Sequence, residues 1–387
     1  MKGIEVPERE EDFTADPVEL FFDLAFVFAF AQLVGHLIGN HDWTGVGEAG
    51  LIFLLLWLPW SQFTWAANAV SGNGRLVRLL FLVGTAVSIP MAASVTTAFD
   101  DGGPVFAISL CLIYALAQGT QFLAAERGSA YHVAVLTWAV PQTLALGVLL
   151  VGAFVDGSAR VGFWVAALAL VTINMIRAGR SEWIVRTGHF AERHGLILII
   201  ALGEVIVAIA KPVADLLEEG EGLSGVSVTA LVASGAFAAL LWWSYFDRPG
   251  PALEHRGEGL ETDRDRGRYA RDVYSWAHAP VVAGVILSAA ALEEITLHPR
   301  DAVPDSFRLM FFGGLALFAF GVAIGVWRAF RAVAMERLAA TALIAVVLAV
   351  AGSWDGIVVL IVVDAILLVM LIAEHVRIER PREAAGA

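Results

Sequence analysis

The chain has one cysteine, Cys111, and only two lysines, Lys2 and Lys211, among its 387 residues. A single thiol excludes an intramolecular disulfide framework and a cysteine-based metal cluster. Neither lysine lies deep in an apolar run, which argues against Schiff-base chemistry of the retinal type. Charge is scarce as well: Asp, Glu, Lys and Arg together make up 16% of the chain, against about 25% in ordinary soluble domains. The charge present sums to −13, and nucleic-acid binding needs a basic face that this balance does not supply. No Walker-type Gly-rich run and no Gly-x-Ser-x-Gly elbow occurs. Nucleotide-driven pumping and an α/β-hydrolase site are therefore unsupported.

What the chain has is apolar length. Hydrophobic residues make up 58% of it and the mean hydropathy is +0.73, which excludes a soluble globular, disordered or fibrous protein. A membrane-spanning helix needs about 20 mostly apolar residues. Twelve stretches qualify: 18–38, 46–70, 77–98, 104–124, 131–154, 161–177, 195–212, 226–246, 272–297, 306–328, 336–351 and 354–376. The apolar runs are continuous and do not alternate, so a β-barrel is not indicated. Ser71-Gly72-Asn73-Gly74, Asp100-Asp101-Gly102-Gly103, Asp156-Gly157-Ser158 and Glu218-Glu219-Gly220-Glu221-Gly222 break the runs. The stretch 336–351 is short, and only Gly352-Ser353 separates it from the last one; merged, the two give eleven spans.

Cations orient the spans, because Lys and Arg collect on the cytoplasmic side. With the N-terminus inside, 21 of the 25 fall on that side, and Arg160, Lys211, Arg300 and Arg308 do not. The first 17 residues are acidic (Glu5, Glu8, Glu10, Glu11, Asp12, Asp16), unlike the basic start of a cleaved signal peptide. The expected fold is an all-α, polytopic transmembrane helix bundle of about twelve spans with both termini cytoplasmic. Trp60-Ser61-Gln62-Phe63 ending the second span is echoed by Trp243-Ser244-Tyr245-Phe246 ending the eighth. That echo suggests two parallel six-helix halves. The organisation is then a tail (1–17), a first half (18–177), a cytoplasmic linker (178–194), a second half (195–376) and a tail (377–387).

Ionisable side chains within spans cost about 2.5–3.5 kcal/mol each at the helix centre, so each is a functional candidate. Glu19 and Asp23 stand four apart on one face of the first span. Near a helix N-terminus acids are also favoured by the dipole, so Glu19 can simply lie at the headgroups, whereas Asp23 is deeper. Glu204 sits mid-span with no cation within a helical turn; it is expected to find a partner on another helix or to hold a proton. His189, Glu192, Arg193 and His194 crowd the entrance of the same span. Their spacing does not place three ligands on one helix face, so no metal is expected, and the cluster reads as a solvated helix start. Tyr274 and His278 are four apart in the ninth span, where Pro280 marks a kink that frees backbone carbonyls. Asn68 and Asn174 near span ends read as interhelical glue, and Asp364 stands alone in the last span. The candidate polar or proton site is thus Asp23, Glu204, His278, Tyr274, Glu19 and Glu192, with no cofactor indicated.

Glu19-Leu-Phe-Phe-Asp23-Leu-Ala-Phe-Val-Phe-Ala resembles the opening signature of the bacterial low temperature requirement A family, with Ala25 where Val is commoner. His189-Phe-Ala-Glu192-Arg-His-Gly195-Leu, leading to Leu202-Gly203-Glu204, resembles its second signature. Trp242-Trp-Ser-Tyr245-Phe-Asp247 and Asp272-Val-Tyr274-Ser-Trp-Ala-His278-Ala-Pro280 resemble its third and fourth. The resemblance runs through most of the chain in order and implies a multi-pass inner-membrane protein; it implies no substrate. The residues themselves favour a secondary transporter or an ion or proton pathway for an unidentified small solute, ion or lipid. Two other readings stand beside it. One is a lipid- or isoprenoid-modifying membrane enzyme using Asp23, Glu204 and His278 as acid–base groups. The other is a non-catalytic envelope component for cold adaptation. Neither the coupling ion nor the oligomeric state is legible.

Overall fold

The computed structural model describes residues 14–70, 74–179, 181–218, 220 and 222–386, with side chains as far as Arg377. The acidic start of the N-terminal tail, residues 71–73 of the first breaker, Arg180, Glu219 and Glu221 lie outside the described residues. Twelve helices follow one another: α1 (Pro17–Gly39), α2 (Trp43–Ala67), α3 (Arg75–Ala93), α4 (Gly103–Ala124), α5 (Ala130–Ala153), α6 (Gly157–Ala178), α7 (Thr187–Glu218), α8 (Gly225–Glu258), α9 (Asp263–Leu297), α10 (Asp305–Phe330), α11 (Met335–Val350) and α12 (Gly356–Gly386). Eleven of these are long and apolar enough to cross a membrane. The exception is α11, the short stretch of the sequence analysis. It is a separate helix of 16 residues, which at 1.5 Å per residue spans about 24 Å, less than a hydrocarbon core of about 30 Å. No strand occurs among the described residues, only an isolated bridge between Ala302 and Asp355.

The helix starts follow from side chains that accept the first free N–H groups. Asp16, Asp42, Ser129 and Ser224 cap α1, α2, α5 and α8 in this way. At α1 the cap is reciprocal: Asp16 accepts from the Val18 N–H while the Asp16 N–H donates to Glu19. Turns with φ of +84° at Gly128, +58° at Gly157 and +90° at Gly220 use glycine where a Cβ would be strained.

The chain forms two compact units, Met1–Ile197 with Leu253–Ala279, and Leu198–Ala252 with Pro280–Ala387. In the first, α1 packs on α2 and α3, α3 on α4, α2 on α4, and α5 on α6. Arg160, one of the four cations outside the inside bias, is consumed there as a staple. It is buried and donates to the carbonyls of Val155, Ala98 and Asp100 and to the Asp156 carboxylate. In the second unit α12 packs on α8 and α11, and α10 on α11. Arg337, also buried, is held there by Glu374 (2.8 Å) and by the Ser244 hydroxyl and carbonyl (2.7 Å each).

Within α9 the residues Ala270–Ala277 form a π-helical stretch. Its cause is next to it. Pro280 has no N–H to give and its ring crowds the preceding turn, so a wider turn relieves the clash. In five-residue spacing the Ser275 carbonyl would look to residue 280. It is satisfied instead by the Trp57 indole N–H at 2.7 Å. The Ser275 hydroxyl accepts from Ser61 (3.1 Å) and from the Trp65 indole (3.0 Å). The kink expected at Pro280 therefore takes the form of a widened segment that α2 holds by three hydrogen bonds.

Candidate functional site

The first unit buries a connected set of charged and polar groups. Glu19 and Asp23 share a face of α1 because residues four apart lie one above the other on a helix. His189 and Arg193 share a face of α7 for the same reason. The two faces meet. One nitrogen of the Arg193 fork donates to Glu19 at 2.6 Å and the other to Asp23 at 2.7 Å. His189 Nε2 lies 3.0 Å from the same Glu19 oxygen, and the Trp60 indole donates to Asp23 at 2.8 Å. Glu19 is 1% exposed, and Asp23, His189 and Arg193 are 0% exposed.

Asn68, at the end of α2, fixes the histidine. Its Oδ1 accepts the Arg186 backbone N–H at 2.6 Å, so its amide nitrogen faces the other way, toward the Arg186 carbonyl (3.2 Å) and His189 Nδ1 (3.0 Å). An amide N–H can only donate. His189 Nδ1 therefore accepts, and the ring proton sits on Nε2, toward Glu19.

Two carboxylates meet one guanidinium here, and the second oxygen of Asp23, Oδ2, is buried with no hydrogen-bond partner among the described residues. His194 follows Arg193 around the helix. Its Nδ1 donates to the Phe190 carbonyl at 2.8 Å, which leaves Nε2 as the bare lone pair, likewise buried without a partner among the described residues. Aromatic rings enclose it, with centroids 5.0 Å away at Trp60, 5.2 Å at Tyr274, 5.3 Å at His278, 5.7 Å at Phe190 and 6.0 Å at Trp57. His278 Nε2 donates to the His194 carbonyl at 3.1 Å. Trp60 thus touches both groups with open valence, its N–H on Asp23 and its ring packed nearly perpendicular to His194.

These positions correct one expectation. The cluster at 189–194 is no solvated helix start: His189, Arg193 and His194 are buried and bind the acids and aromatics of other helices. Nor does Glu19 lie at the headgroups. A polar group withdrawn from water needs partners, and these residues are one another's partners. Of the other candidates, Tyr274 and His278 stand beside His194, and Glu192 is half-buried at the edge, accepting the Ala15 N–H at 2.7 Å. Glu204 belongs to the second unit, where it is buried and Glu293 acts on it as a like charge. Asp364 is in that unit too, half-buried, with Oδ1 lacking a partner among the described residues. No group of three or more His, Cys, Asp or Glu among the described residues could hold a metal ion.

Sequence reasoning passed over Trp60 as a partner of Asp23 and the buried roles of Arg193 and His194; Asn68, read as interhelical glue, does bond across to Arg186 and His189. A signal existed for Arg193: Glu19/Asp23 and His189/Arg193 are complementary pairs at the same four-residue spacing, as two facing helices require.

Residues 14–372 match the family described as bacterial low temperature requirement A protein (LtrA). An uncharacterized protein of Rhizobium meliloti (strain 1021) is 29% identical over 334 residues, covering 81% of this chain and 77% of that protein. No solved structure matches.

Proposed function

The chain belongs to the bacterial low temperature requirement A family, and on that premise we propose that it is a secondary transporter or proton pathway of the inner membrane, both termini cytoplasmic, in which Asp23 takes up and releases a proton. The observation that carries this reading is the buried cluster of two acids on one arginine, in helices of spanning length. Bundle glue needs far less than this, since single polar contacts between membrane helices contribute about 0.6 kcal/mol on average. Three ionised groups withdrawn from water carry several kcal/mol of desolvation apiece.

The geometry also suggests how a proton would be felt. Charged Asp23 holds one arm of Arg193 and the Trp60 N–H. Protonated at Oδ2, it holds both less strongly, because charge-assisted hydrogen bonds are roughly twice as strong as neutral ones. The α1–α7 clasp then rests mainly on Glu19. That difference in contacts between two protonation states is what coupling to a conformational change requires. His194, across Trp60 from Asp23, offers its bare Nε2 as the next acceptor.

The test is proton flux in proteoliposomes with an internal pH indicator, driven by a membrane potential and a panel of solutes. Asp23→Asn keeps the volume and the Trp60 bond but holds no exchangeable proton. It is expected to lose at least tenfold in flux while accumulating near the wild-type level. Flux equal to wild type in Asp23→Asn rejects the reading.

A further inference from the structure

A second feature of the first unit lies on the same helix as Trp60. Ser61 and Gln62, the next two residues of α2, line a cavity of about 40 Å³ together with residues of α4, α5, α6 and the wide turn of α9. Its walls include the rings of Trp65, Tyr114, Trp138 and Trp183. No Asp or Glu lines it. Donors do. Gln62 gives its amide N–H to Gln121 Oε1 at 2.9 Å, which turns the Gln121 nitrogen outward from the pair. That nitrogen and the Trp138 indole nitrogen are both buried and have no hydrogen-bond partner among the described residues. Gln121 is 0% and Trp138 5% exposed.

The third donor is Arg271. Asp272 accepts from its Nε (2.8 Å) and Nη2 (2.6 Å), which leaves Nη1 on the cavity side against Gly179. Gly179 is required there, because any Cβ would coincide with that nitrogen. A buried donor without an acceptor costs about 1–3 kcal/mol, so two in one wall call for an occupant that accepts.

We infer that this cavity is a binding site for a small carboxylate, held by Trp138, Gln121 and Arg271. Open N–H donors with no Asp or Glu in the lining suit an acceptor-rich anion, and N–H groups on three different residues suit two oxygens on one carbon. The rings suit the remaining methyl-sized part. Volume sets the size. A water needs roughly 10–15 Å³ measured this way, so the cavity admits about three or four non-hydrogen atoms, the scale of formate or acetate. As the solute site of a proton-coupled carrier, the assignment rests on the reading above; as a binding site it stands on its own, and the experiment keeps the two apart.

Equilibrium binding of radiolabelled acetate to the purified full-length protein in lipid nanodiscs tests it, with no gradient and no turnover. Saturable binding is expected, displaced by formate and at least tenfold less well by acetamide, the neutral isostere. Trp138→Phe removes one N–H and keeps the ring. Gln121→Glu keeps an acceptor for Gln62 and adds a repelling charge. Each should weaken acetate binding tenfold or more, Trp138→Phe without changing the melting temperature and Gln121→Glu with a lower one, since its charge is buried. Asp23→Asn should leave binding unchanged. Non-saturable binding overturns the site, as does saturable binding that neither cavity variant alters. Chloride displacing acetate as well as formate does overturns the carboxylate assignment in favour of a halide site. If acetate binds as expected and Asp23→Asn leaves flux intact, the proton reading fails alone. If flux depends on Asp23 and acetate does not bind, the site fails alone.

Discussion

Arg193→Met should leave little folded protein in the membrane. The side chain keeps the unbranched apolar stem of the one it replaces and lacks the guanidinium, so the main loss is electrostatic: Glu19 and Asp23 remain buried on one face of α1 with no cation between them. Removing one partner of a buried ion pair costs about 3–5 kcal/mol. That is a large share of a total stability of about 5–15 kcal/mol, and it changes the folding equilibrium by about two to three and a half powers of ten, at about 1.4 kcal/mol per tenfold. Membrane-integrated yield and thermal melting in detergent report it. The informative companion is the triple variant Glu19→Gln, Asp23→Asn, Arg193→Met. With every charge gone no ion is left uncompensated, and accumulation should return toward wild type while proton flux does not. Wild-type yield and melting in the single variant would mean that the three charges are not the coupled unit described here.

Much of this architecture is legible in the amino-acid order because apolar length is a one-dimensional signal. A run such as 104–124 spans whatever its neighbours are, and polar breakers mark its ends. The short α11 is the instructive margin: its 16 residues form a helix of their own, but length alone could not separate it from α12. The site was half legible. Glu19 and Asp23 stand out because an acid in an apolar run is costly. His189 and Arg193 did not, since charges at the entrance of a span look alike in sequence whether they meet headgroups or a facing helix. Asn68 could be read as interhelical glue, though not which helix it joins, and Trp60 carries no cost signal; the partners of both appear only when α2 is set against α1 and α7. Pro280 announced a break in α9, but the width of the turn and its capture by Trp57, Ser61 and Trp65 depend on α2.

In the second unit the largest effect is expected at Gly314. Gly284 of α9 and Gly314 of α10 bring two helix backbones into contact, the close approach that small residues permit between membrane helices. A Cβ on Gly314 would lie 2.7 Å from the Gly284 carbonyl oxygen and 2.9 Å from the Ser288 nitrogen. Those are backbone atoms, which cannot rotate away as a side chain does, so the helices must part. Gly314→Leu is expected to cost 2 kcal/mol or more, about the middle of the overpacking range or beyond it, read as a lowered melting temperature. Its neighbour is the control: a Cβ on Gly313 meets only the Leu287 side chain, at 3.3 Å, and Gly313→Ala should melt close to wild type. Equal melting of Gly314→Leu and Gly313→Ala would show that the crossing is looser than drawn.

The central claim is that Asp23 exchanges a proton while buried against Arg193 and Trp60. Infrared difference spectroscopy across a pH step on the full-length protein in lipid reads the carboxyl groups themselves. The account predicts a carbonyl stretching band of a protonated carboxyl that changes amplitude with pH and is missing from Asp23→Asn. If Asp23→Asn removes no pH-dependent carboxyl band, Asp23 is a fixed anion clamped by Arg193, and the proton pathway through it is contradicted.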